Sequence, residues 1–228
     1  MIWLYVLGAL ALLAVGMVVH KKTKSHMSSL EAGDPSDPKC WDLRTIARGI
    51  MKSKGFEKHP AKQGDWIHIH FDAGDDLHYA VCNPGDRMKG AKGLQLDYRF
   101  VFSPGARLYP TNPPGSQNSP TMLTLLLQHE DDNFLANQYK NDSEDDRWWG
   151  TMDTVNPMEQ PEGTIVSMFD ERWTATQFST ADDNQEGLRD VIENCGRIGF
   201  SLGGGDGYGH GCTATGPIDL YVKLTILK

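Results

Sequence analysis

The chain begins with an uncharged, apolar segment that is followed at once by positive charge. Residues Ile2 to Val19 contain no charged side chain, and Lys21, Lys22 and Lys24 come directly after them. A helix of eighteen residues is about 27 Å long, close to the hydrocarbon core of a bilayer, which is about 30 Å thick. Residues 1–24 are therefore predicted to be a single N-terminal transmembrane helix with a basic flank.

A cleaved signal peptide is the main alternative to a retained anchor. Signal peptides begin with a basic region, contain about 7–15 apolar residues and end in small residues at the cleavage site. Here no basic residue precedes the apolar run, the run is longer, and it ends in Gly16-Met17-Val18-Val19. Trp3 and Tyr5 are typical of a membrane interface, which argues against a buried core helix. The pattern favours a retained anchor.

A linker and then a strand-rich domain follow the anchor. Residues 25–39 are rich in Ser, Gly, Asp and Pro, which predicts a linker, and residues 40–228 are predicted to form one domain. Apolar and polar residues alternate in Trp66–Phe71 and Leu94–Phe102, the period of a half-buried strand. Further strands are predicted at residues 121–128, 164–169, 173–178, 197–202 and 220–227, separated by turns rich in Gly, Pro and Asn.

Two segments have helical rather than strand spacing. In Asp42–Lys54 the apolar residues recur every three or four positions, with Asp42 as a candidate N-cap and Gly55 as the stop. The second segment is Asn184–Asn194. Seven or more strands with one or two short helices predict a mainly β domain, built as a two-sheet β-sandwich or jelly roll.

The charge of the chain excludes some partners. There are 22 Lys and Arg against 30 Asp and Glu, a net charge of −8. Setting aside the three lysines beside the anchor leaves 19 basic residues against the 30 acidic ones. Such a domain repels nucleic acid and anionic headgroups, so no nucleic-acid partner is predicted and the membrane is contacted through the N-terminal helix alone.

The cysteines and the lysines predict opposite sides of the membrane for the domain. Cys40, Cys82, Cys195 and Cys212 could form two disulfides in an oxidising compartment, in any of three pairings, and Cys195 with Cys212 could close the glycine-rich loop between them. Four buried thiols are the alternative. The basic flank favours a cytoplasmic domain. The cysteines favour an extracytoplasmic one, which we adopt as the prediction.

The loop Gly203–Gly211 is the most unusual string of the domain, with six glycines in nine positions. Glycine allows backbone conformations that other residues avoid and lets a ligand approach closely. One interpretation is a ligand-facing loop that offers Asp206, Tyr208 and His210. The other is a tight hairpin whose glycines serve backbone geometry alone. The loop has no phosphate-binding fingerprint.

Arg147, Trp148 and Trp149 form a second candidate binding site. Adjacent residues of a strand face opposite ways, so one indole could be buried and the other exposed. An exposed indole beside an arginine and the acids of residues 144–146 has the chemistry of a sugar platform. In the alternative interpretation both indoles are buried and Arg147 pairs with a local acid.

Evidence for metals and catalysis is weaker. His68 and His70 could share a metal at i and i+2, but no further histidine motif accompanies them, so we interpret them as half-exposed strand residues and predict no metal. The acids of residues 130–132, with Asp142 and Asp145, could hold calcium through oxygen ligands, although EF-hand spacing is absent. No other cofactor is predicted. There is no Gly-x-Ser-x-Gly elbow, so no catalytic residue is assigned and catalysis is not predicted.

The C-terminal block carries a family resemblance. Arg197-Ile-Gly-Phe-Ser-Leu, a glycine-rich loop and the last strand opened by Gly216-Pro217 resemble the ending of galactose-binding-like jelly rolls, which include family-eleven carbohydrate-binding modules and complex-I-intermediate-associated domains. Gly93-Leu-Gln-Leu resembles an early strand of that group and Trp173-Thr-Ala-Thr-Gln-Phe a later one, over residues 79–228 together. The loop also resembles those of bacterial exported proteins. The resemblance implies a fold rather than a ligand.

Three function classes follow from these observations. The leading hypothesis is a membrane-tethered binding module for a carbohydrate or another uncharged envelope component. The first alternative is a structural or assembly protein of the envelope. The second is a sandwich-fold glycan hydrolase or lyase.

Overall fold

The computed structural model describes residues 31–45, 60–111, 120–132, 146–170, 173–175, 180–204 and 211–228. The predicted anchor and residues 25–30 of the predicted linker lie outside these ranges. Within the described ranges, no helix is both long and apolar enough to span a bilayer.

The described residues are mainly β, as predicted. The elements are β1 (Trp41–Arg44), β2 (Ala61–Gln63), β3 (Trp66–Phe71), β4 (Asp76–Leu77), β5 (Tyr79–Cys82), β6 (Gly93–Phe102), β7 (Leu108–Pro110), β8 (Met122–His129), β9 (Arg147–Trp149), β10 (Glu162–Met168), β11 (Thr174–Ala175), α1 (Gln185–Glu193), β12 (Cys195–Gly203), β13 (Cys212–Ala214) and β14 (Ile218–Leu227). Short 3₁₀ turns lie at Pro38–Cys40, Gly85–Met88 and Thr151–Asp153.

These strands form three sheets, and all the strand pairs are antiparallel. The first sheet has the order β1-β5-β12-β8-β9-β11, the second β10-β6-β14-β3-β2, and the third, smaller sheet β4-β13-β7. One hydrophobic core contains buried side chains of both larger sheets, such as Leu125 and Phe200 from the first and Leu96 and Leu220 from the second. The architecture is therefore sandwich-like.

The two larger sheets differ in what their outer faces carry. In the five-stranded sheet, buried and exposed residues alternate along β3, β6, β10 and β14, so one face packs on the core and the other is open. The central strands of the six-stranded sheet are buried on both faces, and Tyr79, Val81, Leu126 and Trp149 form a second apolar cluster behind the sheet. This explains why β8 shows a continuous apolar run rather than alternation.

The prediction of a helix that begins at Asp42 is wrong for its first residues. Trp41–Arg44 is an edge strand, β1, which pairs with β5 in the register Trp41 opposite Cys82. Trp41 and Leu43 are buried, and the next residue after each of them, Asp42 and Arg44, is half-buried. This is the alternation of a strand, which the helical spacing further along the chain concealed. Residues 46–54 of the predicted helix lie outside the described residues.

The second predicted helix is confirmed as α1. The Asn184 side chain accepts a hydrogen bond of 2.9 Å from the Gly187 amide, as an N-cap does. Leu188 and Val191 pack into the core, as the spacing predicts.

The cysteines pair differently from the loop closure considered above. Cys40 and Cys82 form a disulfide, with their Cα atoms 5.0 Å apart. Cys195 and Cys212 are free thiols. Cys195 is the first residue of the nine-residue strand β12, and Gly203, where the glycine-rich loop begins, is the last. The length of the strand separates Cys195 from that loop by about 26 Å, so Cys195 does not close it. Burial raises the pKa of Cys195 to about 12 and also raises that of Cys212, so both thiols stay protonated.

Gly199 lies where two neighbouring strands approach β12 closely. It sits opposite Val81 of β5 and Leu126 of β8, and a Cβ atom at this position would lie 2.0 Å from the Ala80 carbonyl oxygen. Because backbone cannot move aside as a flexible side chain can, Gly199→Ala is expected to lower the free energy of unfolding by about 2–3 kcal/mol. Chemical denaturation measures the loss.

Gly204→Ala is the matched control for this prediction. Among the described residues, a Cβ atom there would meet only the Pro110 side chain, at 3.2 Å, so a much smaller loss is expected. Equal stability of the Gly199→Ala protein and the wild type would contradict the close approach of β5 and β12.

Candidate functional site

The open side of the five-stranded sheet is the best candidate for a functional site, and we call it the outer polar face. Its side chains come from four adjacent strands that alternate between this face and the core. They are Trp66, His68 and His70 of β3, Asp219, Tyr221 and Lys223 of β14, Gln95, Asp97, Arg99 and Val101 of β6, and Thr164 and Val166 of β10.

Two histidines and one aspartate meet at the centre of this face. The Asp219 Oδ1 atom lies 2.7 Å from His68 Nε2 and 2.7 Å from His70 Nδ1. The strand register produces the contact, because Asp219 lies opposite His70 in the β14–β3 pair. One ligand atom from each of the three side chains lies within 4.8 Å of the others. The cluster is partly open to solvent, with 24% of the His68 side chain, 40% of His70 and 35% of Asp219 exposed.

Neighbouring side chains hold the two imidazoles in place. The second nitrogen of His70, Nε2, lies 3.3 Å from the Asp72 Oδ1 atom. The His68 ring stacks on the Tyr221 ring, with centroids 4.7 Å apart and planes 13° from parallel. Arg99 lies 4.6 Å from the centre of the Tyr221 ring and comes from β6, on the other side of β14. Tyr221 is therefore held between an imidazole and a guanidinium.

The cluster changes the acidity of its members. The hydrogen bond to Asp219 is the largest cause that raises the pKa of His70, and Asp72 adds to it, while burial opposes both. Burial alone would raise the pKa of Asp219, but hydrogen bonds from His70 and His68 outweigh it and hold the pKa below its usual value. Asp219 is thus an ionised acceptor with two imidazole N–H groups directed at it.

A second polar network lies beside this cluster on β6 and β10. Asp97 Oδ1 accepts hydrogen bonds from Thr164 Oγ1 at 2.7 Å and from Gln95 Nε2 at 3.1 Å. Arg99 lies two residues further along the same strand and is exposed. The face therefore offers fixed acceptors and donors side by side.

A cavity opens at one end of the same sheet. It has a volume of about 550 Å³ and is lined by Ile67 and residues 223–226 of the sheet, and by Asp34, Pro35 and Ser36. Arg87, Asp65 and Lys228 also line it. This volume lies within the usual range of small-molecule sites.

Arg147, Trp148 and Trp149 lie in the interior and do not form an exposed platform. They form β9, between β8 and β11 of the six-stranded sheet. The indoles face opposite ways, as predicted, but Trp148 is 0% exposed in the main core and Trp149 is 3% exposed in the second cluster. Both faces of this sheet are buried here, so the interpretation with two buried indoles is the one that describes the structure.

Arg147 pairs with a local acid, as that interpretation requires. Its Nε and Nη2 atoms donate to the two carboxylate oxygens of Asp132. The pair occupies the Asp132 carboxylate that was considered as a calcium ligand. Asp142 and Asp145 of that acidic set lie outside the described residues.

The loop residues Asp206, Tyr208 and His210 also lie outside the described residues, and their role stays a prediction. The residues that bound the loop are described. Gly211 has a φ of +83°, a conformation that favours glycine, and its amide carbonyl accepts a hydrogen bond from the Thr111 amide.

Sequence reasoning missed Asp219 and with it the histidine cluster. Alternation in Ile218–Val222 already places Asp219 and Tyr221 on one face of a strand, and the same argument places His68 and His70 together on β3. What the sequence lacks is the register between β14 and β3, which are separated by about 150 residues.

Comparison with known proteins gives no family assignment. No protein-family model matches the chain, and a search of curated proteins finds no relative. The fold and the site thus define the chain as a sandwich-like β protein with an open polar sheet face.

Proposed function

We propose that the chain is a membrane-tethered binding module whose ligand docks on the outer polar face. The observation that carries the proposal is the fixed arrangement of polar side chains on this open face, with Tyr221 held between His68 and Arg99. Side chains that project from paired strands keep their positions better than side chains on loops, which suits recognition. As part of the proposal, the domain is a galactose-binding-like jelly roll.

An uncharged, hydroxyl-rich ligand such as a carbohydrate fits this surface best. Asp97 and Asp219 can accept hydrogen bonds from a ligand, Arg99 and Lys223 can donate them, and the half-buried Trp66 adds apolar surface. Sugar hydroxyls can both donate and accept, so they match such a mixed surface. The net charge of −8 disfavours polyanionic ligands.

Two further features support the location that we propose for the module. The uncharged segment from Ile2 to Val19 has the length of a membrane anchor. The disulfide between Cys40 and Cys82 supports an extracytoplasmic domain, because disulfides persist in oxidising compartments.

Glycan-array binding of the full-length chain tests this proposal. Arg99→Ala is expected to reduce binding of the recognised glycan about tenfold, since a hydrogen bond from a charged donor is worth about 1.5–3 kcal/mol. Arg107→Ala is the matched control, because Arg107 is exposed but lies outside the outer polar face. Absence of glycan binding by the wild type, or an equal loss in both variants, would contradict the proposal.

The same samples separate the two alternative functions. Val101 and Val166 are 47% and 39% exposed on the outer polar face, which favours an assembly role in which another envelope protein covers them. Capture of such a protein by the wild type, without glycan binding, would support that role. Release of sugar from the bound glycan would support a hydrolase or lyase.

A further inference from the structure

We propose that His68, His70 and Asp219 form a binding site for a divalent first-row transition-metal ion, represented here by Zn²⁺. The proposal concerns the chemistry of the three side chains at the centre of the outer polar face. It does not depend on the identity, or the existence, of a glycan ligand.

The donor atoms determine which class of ion fits. Two imidazole nitrogens and one carboxylate oxygen suit zinc, copper, nickel and ferrous iron, whereas calcium and magnesium require oxygen ligands. Both histidines come from β3, at i and i+2, and the carboxylate comes from the neighbouring strand β14. Three protein ligands from two paired strands form a site before the ion arrives, so little ordering is needed when it binds.

The present contacts leave room for an ion after a small adjustment. His68 Nε2 and His70 Nδ1 both lie 2.7 Å from Asp219 Oδ1. Zinc bonds to nitrogen and oxygen are about 2.0–2.2 Å long, so ligand atoms around one ion lie about 3 Å or slightly more apart. A rotation of the Asp219 side chain that widens both contacts by about half an ångström brings its oxygen to this separation from each nitrogen. The two nitrogens lie within 4.8 Å of each other, and small rotations of the rings adjust that distance.

The ion would take the place of the two hydrogens that now point at Asp219 Oδ1. Each coordinating nitrogen must give up its hydrogen, because a metal-bound imidazole is neutral and binds through a lone pair. In His70 the remaining hydrogen then sits on Nε2, which faces Asp72 Oδ1 at 3.3 Å. In His68 it sits on Nδ1. Any additional proton on either ring is released to solvent.

Asp72 supplies the outer support that metal sites commonly have. Metal-bound histidines usually donate their second N–H to a carboxylate, which fixes the ring and increases its basicity. The contact between His70 and Asp72 has this arrangement. Tyr221 fixes the other ring by stacking on His68. These two contacts, between His70 and Asp72 and between His68 and Tyr221, distinguish the cluster from histidines that merely lie on the same surface as an acid.

The site would keep an open coordination position. Three protein ligands leave at least one position of a tetrahedral ion for water or for a ligand donor. The partial exposure of His68, His70 and Asp219 places that position towards solvent on the outer polar face. A ligand docked on this face could therefore contact the ion directly.

Zinc titration of the metal-free, untagged full-length chain by calorimetry tests the site, and the visible spectrum of the Co²⁺ form reports its geometry. The wild type is expected to bind one ion, with the absorption of a tetrahedral cobalt site. Both His70→Ala and Asp219→Asn are expected to weaken binding at this site more than tenfold and to abolish the cobalt band. Asp72→Asn keeps all three ligands and is expected to weaken binding about tenfold.

Two control variants distinguish this site from the rest of the chain, which has 8 histidines in all. His129→Ala removes a histidine that lies near Asp131 and Asp190, and Asp97→Asn removes another acid of the outer polar face. Neither should change zinc affinity. All the substituted side chains are partly exposed, and circular dichroism checks the fold of each variant. His70→Ala and Asp219→Asn are two independent tests of the site.

Either of two results would overturn the proposal. One is the absence of zinc binding by the wild type at millimolar zinc. The other is unchanged affinity in both His70→Ala and Asp219→Asn. Because the titration uses no glycan, its outcome is independent of the glycan-array result, and the failure of one proposal can be told from the failure of the other.

Discussion

Replacing Asp132 by alanine is expected to lower the free energy of unfolding by about 3–5 kcal/mol, one of the largest effects of a single substitution in this protein. The carboxylate of Asp132 is buried and accepts two hydrogen bonds from Arg147, whose side chain is also buried. Without it, the guanidinium keeps its charge inside the protein and loses this bidentate ion pair. Arginine cannot escape this cost by losing a proton, because its pKa is far above neutral.

Two described groups close to Arg147, Tyr79 and Arg197, do not replace the carboxylate. The Tyr79 hydroxyl contacts the guanidinium, but burial raises the pKa of Tyr79 and its hydroxyl stays neutral. Arg197 donates a hydrogen bond of 3.0 Å to the Asp132 main-chain oxygen, which the substitution keeps. A second positive charge thus remains near the first.

Urea denaturation at neutral pH measures the loss, with the denaturant dependence expected to be unchanged. Asp86→Ala is the control, since Asp86 forms an ion pair of 2.7 Å with Lys89 in which both side chains are more than three-quarters exposed, and no measurable change is expected there. The double variant Asp132→Leu with Arg147→Met removes both charges of the pair, while the buried Arg197 is the same in the single and the double variant. The double variant should be more stable than Asp132→Leu alone. A double variant less stable than that single variant would contradict this account.

Much of the fold could be predicted from the sequence because one face of the five-stranded sheet is open. Alternating apolar and polar residues predicted β3, β6 and most of β14, because each strand has one side that faces solvent and one that faces the core. Short strands such as β4 and β13 were missed because two or three residues show no period. β1 was missed because the residues after it have helical spacing.

The cluster of His68, His70 and Asp219 was not predicted, for a different physical reason. The adjacent Trp148 and Trp149 are unusual in sequence and were predicted to bind a ligand. Large aromatic side chains most often pack in a core, and both indoles are buried. The residues that meet on the outer polar face are common ones, and only strand register brings Asp219 to His70. Register between strands so far apart in sequence depends on the packing of the whole sheet.

The second large effect concerns the disulfide. Replacing Cys40 and Cys82 together by alanine is expected to lower the free energy of unfolding by about 4 kcal/mol, the entropy that closing a loop of this length removes from the unfolded chain. The two cysteines are 42 positions apart and both are buried. In the folded state the bond fixes β1, which lies at the edge of its sheet and pairs with β5 among the strands that the structure describes.

Local contacts beside the disulfide keep its loss from disrupting the whole domain. The Trp41 indole donates a hydrogen bond of 2.8 Å to the Pro35 carbonyl, and Trp41 packs near Phe200 in the core. The double variant should therefore fold and bind zinc as the wild type does, because the proposed metal site lies on the other sheet. The loss should appear as a lower midpoint of urea denaturation, with the native circular dichroism spectrum retained.

Cys195→Ala is the matched control, since Cys195 is a free thiol and its replacement leaves the disulfide intact. Reduction of the wild type should lower the stability by about as much as the double substitution, and reduction of the double variant should change nothing further. A double variant as stable as the oxidised wild type would contradict a disulfide that constrains the unfolded chain. A protein that was equally stable with and without reductant would show that the bond between Cys40 and Cys82 does not form, and would remove the support that it gives to an extracytoplasmic domain.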